Sequence, residues 1–315
     1  GIYVDSTEAQ LRISDLTFRN FAATAIRARA ARLEIRGVTI SNSNERGVYS
    51  ESRVLLLSGS RIENTNSDGV WIAEADTAVV TGNVLSGNGR LASQGNPGQE
   101  LNAVRVTRSE VVSIADNTIT GSGFTGITAV AIRNSLSITG NRISEYCLYL
   151  NDCGAVYING TNMTASFREI AGNTIRNGIG DTQGIPAPKT LKTAGIYLDY
   201  YAGGFQVHDN VVEASGAGLG GIAVNGGNNN WIYRNMISQY FWPTMGFWKF
   251  PDTRFSPPRV YPMDGNLVEH NRLFVTAVLN DRLNMSFINA ADSDNRFGVF
   301  RDNALQALPR PVRRR

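Results

Sequence analysis

The sequence predicts an all-β chain, a solenoid of the right-handed parallel β-helix kind with about eleven coils, on three observations. A phrase of Asn, any residue and then Ile, Val or Leu recurs along most of the chain. An alternating apolar phrase precedes it at a nearly constant distance. The 315 residues also carry 32 Gly and 30 Asn, which are costly inside helices and strands and cheap in tight turns, so the chain turns often. With 42% hydrophobic and 18% charged residues it is too apolar for a disordered chain. No apolar run approaches the roughly 18 to 20 residues of a membrane helix, so no membrane insertion is expected.

The Asn phrase occupies Asn83, Asn117, Asn141, Asn173, Asn210 and Asn235, with weaker copies at Asn271 and Asn303. Leu16, Val38 and Ser60 fill the same slot earlier, 22 residues apart. Three residues before each slot an apolar side chain recurs, as at Ile35, Leu57, Val80, Ile114 and Ile138. The second phrase starts at Ile2, Ile26, Val48, Val70, Val104, Val130, Val156, Ile196, Ile222, Val260 and Ile288, usually after Gly. Short alternating strands without helical periodicity argue for β structure throughout. Stacked units of this kind make a solenoid in which each coil touches only its neighbours. Insertions enter at one corner, at 87–102, 144–153, 176–194 and 238–265. The reading is one domain over 1–308 with a basic tail at 309–315. This repeat resembles the pectate-lyase-like superfamily of β-helix proteins over nearly the whole chain. That superfamily includes lyases, hydrolases, epimerases, tailspikes and adhesins, so the resemblance implies a fold more than an activity.

Side chains alternate along a strand, so the first and third residues after each second-phrase start face solvent. One column reads Tyr3, Arg27, Tyr49, Trp71, Arg105, Ala131, Tyr157, Tyr197, Ala223 and Tyr261. The other reads Asp5, Arg29, Glu51, Ala73, Thr107, Arg133, Asn159, Asp199, Asn225 and Met263. Beside a wall of loops these columns form a groove for an extended sugar chain. Trp71, Tyr157, Tyr197, Asn159 and Asn225 are its candidate contacts. Arg27, Arg29, Arg105 and Arg133 suit carboxylated or sulfated sugars, because a guanidinium fork matches a carboxylate. Aromatic and charged ladders also stabilise parallel sheets without binding anything. The insertion 238–265 holds eight aromatic residues, which suit sugar faces or the closing of the last coils.

Asp199 stands between Asn159 and Asn225 in its column, with Tyr157 and Tyr197 adjacent. The stretches Asp152-Cys153-Gly154-Ala155-Val156-Tyr157 and Gly195-Ile196-Tyr197-Leu198-Asp199 resemble a motif pair of bacterial β-helix proteins that act on polysaccharides. There the pattern is Asp-Gly-Gly-Ala-Ile-Tyr and Gly-Ile-Tyr-Leu-Asp-Asp; here Cys153 replaces a Gly and Tyr200 the last Asp. The resemblance implies a glycoside hydrolase with Asp199 and Asp152 as acid and base or nucleophile, their separation setting the stereochemistry. A second reading is β-elimination at a uronic acid, with Lys192 or Tyr197 as base and Arg133 or a bound Ca²⁺ neutralising the carboxylate. A third is a non-catalytic carbohydrate-binding or structural β-helix. Hydrolysis requires no cofactor, and no metal-ligand spacing of Cys and His occurs.

The net charge of +3, from 27 Arg and 3 Lys against 27 acidic residues, shows no basic run except Arg313 to Arg315, so nucleic acid is not expected. The expected partner is a polysaccharide or oligosaccharide, and a monomer is favoured over a trimer. His208 and His270 flank Asn slots away from the columns and read as structural, as does the triplet Asn228 to Asn230. Cys147 and Cys153 are equally readable as a local disulfide or as two buried thiols. Gly1 falls inside a repeat, which is compatible with a processed start and with a secreted or periplasmic bacterial protein.

Overall fold

The computed structural model describes residues 1–91, 100–181, 192–213, 218–239, 244–249, 256–258, 263–275, 285–288 and 298–307. Among them every regular element is a strand. Paired strands run parallel, each against its counterpart one coil away. One coil has three short strands, as in Val104–Thr107, Val111–Ala115 and Thr118–Ser122. Eleven strands stack on the first face, from Ile2–Ser14 to Met285–Ile288, so the coil number matches the repeat count. No described helix is long and apolar enough to cross a membrane.

The interior is a set of aliphatic ladders. Val70, Val104, Ile127, Val156 and Ile196 stand in successive register and are fully buried. Each such side chain contributes roughly 1.5 to 3 kcal/mol by leaving water. The apolar residue before each slot builds a second ladder, with Leu57, Val80, Ile114 and Ile138 in register.

The Asn phrase explains itself in the turn between the second and third strands. From Asn83 to Asn303, each Nδ2 donates to the Oδ1 one coil on at 2.8 to 3.0 Å. Each backbone N–H donates to the same oxygen at 2.9 to 3.1 Å. The residue before each of these Asn has a left-handed φ between 51° and 65°, whether Gly, Asp, Arg234 or His270. The corner needs a buried side chain that both donates and accepts, and the Asn amide does so from two separate atoms, one facing each neighbouring coil. Ser60 begins the stack by accepting Val38 N–H and donating its own N–H to Asn83. Asn230 belongs to a shorter amide stack with Asn266, in agreement with a structural reading of that triplet.

Three placements differ from the sequence reading. The sixth outward strand begins at Ile127, not Val130, since Ile127 pairs with Val104 and Val156. The run from Ile127 to Ile132 alternates acceptably in either frame, and Gly126 decides between them: a Cβ there would lie 2.7 Å from the Ala155 carbonyl oxygen. Thr128 and Val130 therefore take the column places assigned to Ala131 and Arg133. The tenth strand is Met245–Trp248, which pairs with Ile222 to Asn225, so the insertion at 238–265 is interrupted by a ladder strand. Its aromatic content disguised it as loop. The eleventh strand, Met285–Ile288, ends rather than begins at Ile288. Val260, Tyr261, most of the other aromatics of that insertion and the tail 309–315 lie outside the described residues.

Candidate active site

Strand pairing puts Asn159 against Asp199 and Tyr157 against Tyr197. The next coil brings Ala223 beside Tyr197, and Trp248 follows Asn225. Tyr157, Ala194, Tyr197, Ala223 and Trp248 form a small outer apolar cluster separate from the core. Tyr157 and Tyr197 meet edge to face at 5.4 Å, and Tyr197 lies 6.0 Å from Trp248. Trp248 is the site residue that sequence reading missed; the pairing of its strand, not its spacing, reveals it.

Asp199 lies in this cluster with only 6% of its surface exposed. Tyr157 Oη donates to its Oδ2 at 2.8 Å, and Asn225 Nδ2 donates to its Oδ1 at 2.8 Å. Burial pushes the Asp199 pKa up, while hydrogen bonds from Tyr157, Asn225, the Tyr200 backbone and Tyr197 oppose that shift. The backbone donor cannot turn round to accept a proton, whereas the Tyr157 hydroxyl and the Asn225 amide can turn to meet either form of the carboxyl group. Among the described residues nothing donates to Asn225 Oδ1, although that atom is buried. Asn159 faces the same column but spends its Oδ1 on the Thr161 N–H at 2.9 Å.

Asp152 reaches the same place from the preceding turn. It has a left-handed φ of 64° and sits one residue before the strand Cys153–Asn159. Lys192 Nζ lies 4.0 Å from its Oδ2, with about half of each side chain open to water. The protein around Asp152 raises its pKa; the Lys192 ammonium counteracts this, and the charge of Asp199 adds to it. Tyr197 hydrogen-bonds towards both carboxylates. The phenols of Tyr157 and Tyr197 are held well above their ordinary pKa, first by burial and then by Asp199. Both are donors here.

A disulfide anchors the turn: Cys147 and Cys153 are bonded, with Cα atoms 6.2 Å apart. Cys153 N–H donates to the Lys192 carbonyl at 3.0 Å, and Lys192 N–H to Asn151 Oδ1 at 2.6 Å. Asp152, Lys192 and Asp199 are thereby carried by one stapled corner and two adjacent strands.

The other candidates stand apart. Arg133, out of the column, pairs with Glu110 at 2.6 Å in the following turn. Arg105 keeps its column place but is buried, its guanidinium 4.5 Å over the Trp71 ring and in the field of buried Asp68. Arg46 covers Trp71 at 4.8 Å, while Tyr49 lies 4.7 Å away. The rings and guanidiniums are thus packed on one another along the ladder, not laid open as platforms. His208 bonds Asp209 and Glu169 and stacks on Tyr233, on another face. Among the described residues no group of three or more His, Cys, Asp or Glu side chains could hold a metal.

Comparison with known proteins supports the architecture. Residues 1–97 match a family model described as the right handed beta helix region. A double mutant of the periplasmic alginate epimerase AlgG is similar in structure with a TM-score of 0.58, at 14% identity, over 95% of this chain and 70% of that one. The A-module of the Azotobacter vinelandii mannuronan C-5 epimerase AlgE6 is 16% identical over 96% of this chain and 88% of its own, with a TM-score of 0.34. A search of the curated proteins found no match. Identities this low speak to fold alone, and with the parallel register of all three faces they identify the chain as a right-handed parallel β-helix.

Proposed function

We propose that this β-helix is a carbohydrate-active enzyme that hydrolyses glycosidic bonds of a polysaccharide. One observation carries the reading: a buried carboxyl group, Asp199, cradled by Tyr157 and Asn225, shares its corner with a second carboxyl group, Asp152, which is half open to water beside Lys192. In this scheme Asp152 holds the proton and gives it to the leaving glycosidic oxygen. Asp199, ionised, takes a proton from water or attacks the anomeric carbon. Two carboxyl groups whose surroundings differ in this way divide the acid and base roles. The disulfide supports an oxidising location, so the protein belongs outside the cytoplasm.

A panel of polysaccharides incubated with wild type and Asp199→Asn tests the scheme. Wild type is expected to release reducing ends without unsaturated products. Asp199→Asn is expected to lose about 10³-fold in rate while keeping its circular dichroism spectrum. Unchanged turnover in that variant removes Asp199 from the chemistry. A second reading, β-elimination at a uronate with Lys192 as base, is supported by its place beside Asp152 and by the alginate epimerase named above. It predicts products that absorb in the ultraviolet. A chain that binds a polymer without any product belongs to the non-catalytic class.

A further inference from the structure

An open cavity of about 380 Å³ lies at an earlier coil, lined by Asn44, Glu45, Arg46, Ser67 and Glu100. It occupies the corner at which Asp152 sits, just before an outward strand. Four register steps, Val70 to Val104, Ile127, Val156 and Ile196, separate its coil from that of Asp199. At about 4.8 Å per step this is about 19 Å along the same face.

Among the described residues the cavity has buried polar atoms that make no hydrogen bond. Ser67 is 95% buried by its 5% exposure, and its hydroxyl makes no hydrogen bond among the described residues. Behind it Arg46 Nε and Asp68 Oδ2, both buried, face each other as an ion pair at 3.6 Å, and neither makes a hydrogen bond among the described residues. Buried polar groups in native proteins are satisfied as a rule, so an unbonded hydroxyl beside a loosely held ion pair at an open cavity indicates a polar occupant. Charge selects its class. Arg46 is flanked by Asp68 and by Glu100, whose Oε1 lies 3.2 Å from its Nη2. Arg105 shares the field of Asp68. Glu45 adds a third carboxylate to these two guanidiniums. Three carboxylates against two guanidiniums disfavour an entering anion, whereas a hydroxyl both donates and accepts and can answer Ser67, Arg46 and Asp68 in turn. Elsewhere on the face Arg29 is matched by Asp5 at 2.6 Å and Lys192 by Asp152 at 4.0 Å.

We propose that this cavity is a remote subsite for a neutral glycosyl residue, and that the polymer bound along this face is a neutral polysaccharide, not a polyuronate. The proposal rests on the carbohydrate reading of the Asp199 site. It reverses the expectation that the groove arginines select acidic sugars, because Arg29 and Arg133 are paired with Asp5 and Glu110, Arg105 is buried in the field of Asp68 and Glu100, and Arg27 is held between the Tyr3 and Tyr49 rings.

The test is retardation of wild type, Ser67→Ala and Glu100→Gln in affinity gels cast with neutral glucan, mannan or galactan, or with alginate or polygalacturonate, at low and high salt. Wild type is expected to be retarded by a neutral polymer with little salt dependence, about tenfold more strongly than Ser67→Ala. Glu100→Gln, which keeps the side-chain volume, is expected to leave retardation by the acidic polymers absent. Unaltered melting temperatures show that both variants fold. Salt-sensitive retardation by an acidic polymer, strengthened in Glu100→Gln, overturns the proposal and leaves a carbohydrate enzyme standing. Cleavage of a neutral polymer with no loss of retardation in Ser67→Ala overturns the subsite alone. Retardation by no polymer, with no product, removes both this proposal and the functional reading beneath it.

Discussion

Lys192 separates the two chemistries at the scale of one residue. As the base of an elimination it is indispensable, and Lys192→Met abolishes turnover. As a neighbour that favours ionised Asp152, its removal raises the Asp152 pKa, so the general acid keeps its proton to higher pH. We expect the second result: turnover retained, with the alkaline limb of the kcat profile moved upward. Tyr157→Phe acts on the partner. The lost hydrogen bond is one that lowers the Asp199 pKa, so the acidic limb should also move upward, read in the same pH profile. Asp199 should mark stability as well. Its folded pKa lies above the unfolded value, so the folded state binds more protons across that window and loses stability as pH rises through it. Asp199→Asn removes that slope, and thermal melts from acidic to neutral pH should show a flatter dependence and a gain at neutral pH. Asn225 Oδ1, which accepts no hydrogen bond among the described residues, can turn to accept from the new amide, which helps the variant fold.

At the scale of the element, the amide stack and the stapled corner carry measurable free energy. Asn141→Ala strands the backbone N–H of Asn117 and the carbonyl of Ile114, both buried. Each unsatisfied group costs about 1 to 3 kcal/mol. The same change at part-buried Asn303, at one end of the stack, should cost less, and urea unfolding of the two variants checks the order. Replacing both Cys147 and Cys153 by Ala opens a loop of six-residue separation, worth about 2 kcal/mol. The amide stack was legible in sequence because its requirement is chemical and local: one donor and one acceptor at a closed corner after a left-handed residue. The column place of Asp199 was legible because the repeat sets the register of its strand, whereas Asp152 entered only through the resemblance of its stretch to a motif of polysaccharide-active β-helix proteins. Ile127 was not, since its run alternates in two frames and a glycine contact with the neighbouring coil chooses. Arg105 was misjudged for a different reason: alternation tells which way a side chain points, and not what lies over it.

On the scale of the whole molecule, the outward ladder runs on both sides of Asp199. Coils carrying Tyr157, Thr128 and Arg105 precede it, and those carrying Asn225 and Trp248 follow. Eleven coils at about 4.8 Å make a face about 50 Å long, with the carboxyl pair in its interior. A site at the closed end of a pocket releases units from a chain terminus; a site along such a face meets the middle of a chain. Given a carbohydrate substrate, attack at internal bonds is therefore expected, so solution viscosity should fall well before the reducing-end count rises. Proportional change of the two from the start indicates terminal attack and a face blocked at one side of Asp199. The geometry asks for no second copy, since Asp152, Lys192, Asp199, Tyr157 and Asn225 all come from one chain. Sedimentation should accordingly find the active species at the 34.2 kDa of a single chain, and activity confined to a trimer would mean that the site is completed across subunits.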